Sequence, residues 1–142
     1  MNKDINDNLS WLFLQVSFRA KQGLIKLAEQ HELSVVQMYT LCSMQPDKPL
    51  QMNEIAQMLA CDPSNVTGII DRLFVGEFIQ RREGPKDRRV KMISLTSSGA
   101  RLREQLFEAI MQSEPASFQH LSAAQKTQLH DLLVQILHPE MS

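Results

Sequence analysis

The sequence predicts a mainly α-helical domain carrying one small β-hairpin, and three observations lead there. Leu, Gln, Ala and Met are abundant while aromatic residues make up only 6% of the 142-residue chain, a balance that favours helices over a β-sandwich. Apolar residues recur at three- and four-residue steps along most of the chain, which puts them on one face of a helix. Between residues 78 and 95 that period gives way to two short runs around a Gly-Pro turn, the second alternating apolar and polar for most of its length.

Residues 9 to about 29 read as the first helix, with Trp11, Leu12, Val16, Ala20, Leu24 and Leu27 along one stripe. His31-Glu32-Leu33 is a short connection. Ser34 and Gln37 have the spacing of a capping box, in which each side chain satisfies a backbone donor of the first turn, and they open a second helix through about Met44. Gln45-Pro46-Asp47-Lys48-Pro49 is a loop, because proline cannot continue a helix and restricts the residue before it. Residues 52–60 form a short helix burying Ile55, Ala56 and Leu59, with Gln51 and Glu54 as a weak cap.

Asp62-Pro63 is a stronger start signal: Asp caps, and Pro fits the first helical position, where no donor is needed. The helix it opens runs to about Val75 with Val66, Ile69, Ile70 and Leu73 inward. Strands over 78–82 and 90–95 flank a charged tip at 83–89. Residues 96 to about 112 are helical again, and Ser122 with Gln125 caps a last helix ending near Leu137. Two short helices joined by a tight turn and followed by a hairpin describe a winged helix-turn-helix. It occupies 33–95 within a single domain, flanked by dimerisation helices in 1–32 and 96–142. Leu9, Leu12, Val16, Leu129, Leu132, Leu133, Ile136 and Leu137 are the expected dimer surface.

A chain of this length buries enough surface to need no metal or disulfide staple. No apolar run approaches the roughly 20 residues of a membrane span, and residues 1–7 lack the pattern of a signal peptide. The expectation is a cytoplasmic protein with no membrane partner, in which Cys42 and Cys61 stay reduced. Net charge is −1, but its distribution is uneven. Arg81, Arg82, Lys86, Arg88, Arg89 and Lys91 stand against only Glu83 and Asp87, so one short stretch holds 6 of the 15 basic residues. Attraction to phosphate depends on local potential, which makes the hairpin a candidate nucleic-acid contact.

From Leu33 to Gly99 the chain resembles the MarR family of winged-helix transcriptional regulators. The resemblance rests on Leu33-Ser34 with Gln37, Glu54-Ile55-Ala56 with Leu59, and Asp62-Pro63-Ser64-Asn65-Val66-Thr67. It continues through Asp71-Arg72-Leu73, Asp87-Arg88-Arg89, and Leu95-Thr96 with Gly99. Each fragment is weak alone; order and spacing make the match specific. Three positions depart from the family pattern: Glu77 stands where Gly is common, with Gly76 one step earlier, Phe74 replaces an acidic residue, and Gln51 replaces a Ser or Thr cap.

The resemblance implies a homodimeric repressor of double-stranded DNA, contacting a pseudo-palindrome with two recognition helices. On the helix from Pro63 the outward residues Ser64, Asn65, Thr67, Gly68, Asp71 and Arg72 face the major groove. Asn suits adenine, Ser and Thr suit a base or phosphate, and Gly68 allows close approach. Simple helix capping is the competing reading for Ser64 and Asn65. By position in the family pattern, Arg89 is the residue that enters a narrow minor groove and Asp87 its orienting partner, while Arg81, Arg82, Lys86 and Arg88 serve phosphates. The competing reading is a solvated charged hairpin.

The family also implies release by a small aromatic or anionic ligand. Trp11, Phe13, Phe18, Met38 and Met44 are candidates to line its pocket, although apolar residues at helical spacing more often form plain core. A thiol-based redox repressor and a winged-helix protein-contact module are the alternatives; Cys61 precedes a helix N-terminus, and a basic tip serves no evident purpose in a protein-contact wing. His31, His120, His130 and His138 lack metal-ligand spacing, and no nucleophile elbow or phosphate-binding Gly-rich loop is present. No metal, cofactor or enzyme activity is expected.

Overall fold

A computed structural model describes residues 4–141. Its principal elements are α1 (Leu9–Gln30), α2 (Val35–Ser43), β1 (Leu50–Gln51), α3 (Met52–Met58), α4 (Pro63–Val75), β2 (Ile79–Glu83), β3 (Lys91–Leu95), α5 (Ser97–Gln112) and α6 (Ala123–Leu137). They form two compact units, one of residues 24–112 and one of the residues up to Gly23 together with those from Ser113.

The first unit is the winged helix-turn-helix with α2 and α5. Its core follows the predicted periodicity. Val66, Ile70 and Leu73, at steps of four and three, put one face of α4 inside, against Ile55 of α3 and Ile93 of β3. Leu41 of α2, Met44 just beyond its end and Leu106 from α5 close the other side. Burial of each such side chain contributes about 1.5–3 kcal/mol, so this shared core sets the angle at which α4 is presented.

Three helix ends share one device. α1, α3 and α4 each stop on a non-glycine residue with positive φ: Glu32 at 56°, Ala60 at 48° and Glu77 at 62°. In each case the next N–H reaches back five residues to a helix carbonyl, as in Cys61 to Ala56 and Phe78 to Leu73, at 3.1 and 3.0 Å. Ala60 thereby makes the tight turn that joins α3 to α4. At the start of α4, Pro63 holds the first position and the Asp62 carboxylate accepts from the Ser64 N–H.

The sheet differs from the expected simple hairpin. It has three antiparallel strands in the order β1-β3-β2, with Leu50 opposite Ile93 and Ile79 opposite Leu95. β1 escaped sequence reading because two residues after a proline loop carry no alternation; only pairing with β3 defines them as a strand. The hairpin strands also start one residue later than 78 and 90, and α3 ends two residues before 60. The cap at Gln51 works in one direction: the Glu54 carboxylate accepts from the Gln51 N–H, while the Glu54 N–H goes to Asn53 Oδ1.

In the second unit, Ser122 and Gln125 form the expected reciprocal box at the start of α6, and Lys126 pairs with Glu114 at 2.7 Å. No residue of α6 is buried. Leu9, Leu12 and Val16 on α1 and Leu132, Ile136 and Leu137 on α6 are exposed, with Leu9 at 82% and Leu137 at 71%.

Candidate nucleic-acid interface

Two surfaces of the 24–112 unit carry the residues singled out from sequence. The first is the outer face of α4. With Val66, Ile70 and Leu73 inside, helical geometry turns Ser64, Asn65, Thr67, Gly68 and Arg72 outward, and all five are exposed. Asp62 does the capping, so the Ser64 and Asn65 side chains are left without an intramolecular hydrogen bond among the described residues. Gly68 faces open space: a Cβ placed there would meet nothing within 4 Å. Ile69, expected inside, is only partly buried.

The second surface is the tip of the β2–β3 wing. Gly84 N–H donates to the Val90 carbonyl at 2.7 Å and Val90 N–H to the Asp87 carbonyl at 3.1 Å, which folds the tip tightly. A side chain on the buried Gly84 would collide with the Asp87 carbonyl. Asp87 grips Arg89 three ways: its carboxylate accepts from the Arg89 backbone N–H at 2.9 Å, Nε at 3.2 Å and Nη2 at 3.3 Å. The first of these bonds contributes most to holding the Asp87 carboxyl below its ordinary range; the guanidinium adds to it. The Arg89 side chain itself is 91% exposed, so its partner fixes direction without covering it. Arg88 is 90% exposed and only loosely paired with Glu83 at 3.8 Å. Lys86 is exposed, and Arg82 lies beside Gln80 at 3.5 Å.

Arg81 is arranged differently. Its guanidinium pairs with Asp71 on α4 and stacks on the Phe74 ring, 4.6 Å from the centroid. It braces the wing against α4. Sequence reading placed Asp71 outward and Arg81 on a phosphate because their meeting spans ten residues and two elements.

A MarR family sequence profile matches residues 33–91. The HTH-type transcriptional repressor NicR of Pseudomonas putida is 30% identical over 102 residues, spanning 72% of this chain and 65% of the repressor. Among solved structures, a MepR–DNA complex from S. aureus has a TM-score of 0.74 at 28% identity, covering 93% of this chain and 98% of that one. An E. coli MarR variant complexed with operator DNA has a TM-score of 0.78 at 25% identity, covering 91% and 93%. The chain belongs to the MarR family.

As a MarR family member it departs from the common pattern where α4 meets the wing, and the geometry accounts for each departure. Glu77 itself takes the left-handed conformation that glycine would adopt without strain. Gly76 serves a steric purpose instead, since a Cβ there would lie 2.9 Å from the Phe78 ring. Phe74 supplies the ring on which Arg81 stacks.

Two features of this MarR family chain had no sequence signal. Arg103, on α5, donates from Nε to the Met44 carbonyl at 2.7 Å and lies 4.3 Å from the Phe107 ring centroid, tying α5 to the end of α2. A cavity of about 520 Å³ lies among α1, α2, α4 and α5, with Leu24, Met38, Leu59, Ile69 and Ile110 in its wall. Of the expected pocket residues only Met38 lines it; Met44 is core, and Phe13 and Phe18 are exposed. Both cysteines also line it. Burial pushes the Cys42 thiol up, against the opposing pull of Arg103.

Proposed function

We propose that this chain is a homodimeric, sequence-specific DNA-binding transcriptional repressor that reads the major groove with α4 and the minor groove with Arg89. The observation that carries the reading is the wing tip: a cationic side chain aimed by Asp87, yet 91% exposed. Arg in a narrow minor groove gains from its enhanced negative potential. Ser64, Asn65, Thr67, Gly68 and Arg72 then meet base edges and the nearby backbone, while Arg82, Lys86 and Arg88 meet phosphates. The braced Arg81 holds the two reading elements together, with a phosphate contact only if Asp71 yields it.

Dimerisation through α1 and α6 is supported by their exposed leucines and isoleucine, and by the Trp11 indole N–H, which is buried without a partner among the described residues. The repressor would act in the cytoplasm, and among the described residues no helix is long and apolar enough to cross a membrane. A regulatory rather than enzymatic role is supported by matched relatives that are named transcriptional regulators. Release by a small ligand that binds DNA-competent and DNA-incompetent arrangements unequally completes the reading.

Fluorescence anisotropy against the chain's own upstream intergenic DNA, at two salt concentrations, tests it. Nanomolar binding that weakens steeply with salt, and that falls about 10- to 100-fold in Arg89→Ala, is the expected result. Binding that is equally weak on random DNA and indifferent to Arg89 would identify a protein-contact module instead.

A further inference from the structure

We propose that Phe74 is a positioning residue for DNA binding: its ring holds the Arg81 guanidinium, and with it the wing, while Asp71 and DNA phosphates compete for that cation. The proposal rests on the repressor reading and deepens it, by naming what keeps Arg89 aimed once DNA is near.

Phe74 is an aromatic residue without a place in the core. The buried face of α4 consists of Val66, Ile70 and Leu73. Phe74 is 46% exposed, and it does not belong to the half-buried apolar side chains that pack on the core. Its ring instead meets the Arg81 guanidinium of β2, whose central carbon lies 4.6 Å from the ring centroid. Asp71, three residues earlier and therefore on the same face of α4, pairs with the same guanidinium. One cation thus joins β2 to α4 through two contacts of different kinds.

The two contacts respond differently to DNA. The Asp71 carboxylate is exposed, so salt screens its pairing with Arg81, and a phosphate offers the guanidinium the same charge-assisted hydrogen bond. A guanidinium donates those bonds in its own plane, whereas an aromatic ring attracts it through its face. An edge of Arg81 can therefore exchange Asp71 for phosphate while the face stays on Phe74. The ring also adds no charge. A carboxylate at position 74 would pair with Arg81 too, but it would join Glu54, Asp62, Asp71 and Glu77 on a segment that has to approach phosphates. Holding Arg81 holds β2, where Arg81 stands opposite Ile93, and β2 leads through Gly84 to the tip that carries Arg89. The wing then meets DNA already placed, and no affinity is lost in ordering it.

The test is a double-mutant cycle read by fluorescence anisotropy on the chain's upstream intergenic DNA, with wild type, Phe74→Leu, Arg89→Ala and the double variant. Phe74→Leu is expected to weaken binding about fivefold in the otherwise wild-type chain, and less than about twofold when Arg89 is already alanine. The loss should grow at the higher of two salt concentrations, where the screened Asp71 pair no longer substitutes for the ring. Phe74→Tyr keeps the ring and should bind as wild type does. Equal losses in both backgrounds, or no loss at all, overturns the positioning role. So does a loss matched by a lower urea midpoint, which marks a merely structural residue; Phe74→Met makes the same test should Phe74→Leu not fold.

A second measurement needs no DNA. In NMR at about 1 M salt, where the Debye length is about 3 Å, the Arg81 Nε–H signal should remain displaced by the ring current of Phe74 relative to its position in Phe74→Leu. Coincident signals overturn the hold. A wild type that binds no DNA, or binds no better than Arg89→Ala, overturns the repressor reading and the positioning role together, and the ring-current shift then still decides whether the stack holds.

Discussion

At the base of the wing, Thr96 Oγ1 donates to the Glu77 carbonyl at 2.6 Å and accepts from the Gly99 N–H at 3.0 Å, while the Thr96 N–H donates to the Phe78 carbonyl at 3.0 Å. Gly99 is pressed so closely on Phe78 that a Cβ would fall 1.9 Å from its carbonyl oxygen. At the tip, ten residues on from Phe78 and seven before Thr96, Arg88 and Arg89 project into solvent with one carboxylate each beside them. One hairpin thus has an end built for rigidity and an end built for contact. The difference separates two kinds of mutational effect: changes at the base should alter folding, and changes at the tip should alter DNA affinity alone.

The sharpest attempt to break this division is Gly99→Val. Overpacking against backbone that cannot move aside should cost about 3 kcal/mol or more, read as a lower urea midpoint. Arg89→Ala should do the opposite, losing about 10- to 100-fold in DNA affinity with the unfolding midpoint unmoved. If the midpoint shifts as far as the affinity, tip and base are not separable. Thr96→Val keeps the shape but removes both hydroxyl bonds, and about 1–2 kcal/mol of stability should go with them. Glu77→Gly should instead stabilise the chain by about 0.5 kcal/mol, because relief of left-handed strain slightly exceeds the extra freedom of the unfolded glycine.

The smallest effect concerns Asp87. Its folded carboxyl titrates below the ordinary aspartate value of about 3.9, so the Arg89 clamp is fully present above that value and is lost as pH falls through the lower folded one. Carboxyl-carbon NMR should show this depression in the wild type. Arg89→Ala should return it only part of the way, because the backbone N–H remains as a donor. A full return, or none, would mean that the clamp is built differently.

Much of the wing and recognition helix was legible in advance, for reasons that stay within a few residues. Asp62-Pro63 marks the start of α4 because a cap and a proline act on the next turn, and α4 runs over Pro63–Val75 as expected. The capping boxes at Ser34 and Ser122 involve partners three residues apart. The Asp87–Arg89 grip spans two residues, and family pattern alone pointed to it. The fate of Arg81 was not legible, since its partners Asp71 and Phe74 lie on another element. The left-handed residues at 32, 60 and 77 were also hidden, because none is a glycine.

By itself the sequence determined the helical faces, the helix starts, the basic character of the tip and the outward set from Ser64 to Arg72. Each follows from periodicity, capping or charge, which are properties of neighbouring residues. Only the tertiary structure decided that Leu50 and Gln51 form a strand on β3 and that Gly99 seats against Phe78. It also decided that Arg103 holds Met44 from 59 residues away, and that an uncharged cavity opens beside Asn65. Those features exist only where distant segments meet, and packing rather than local preference chooses which side chains face each other there.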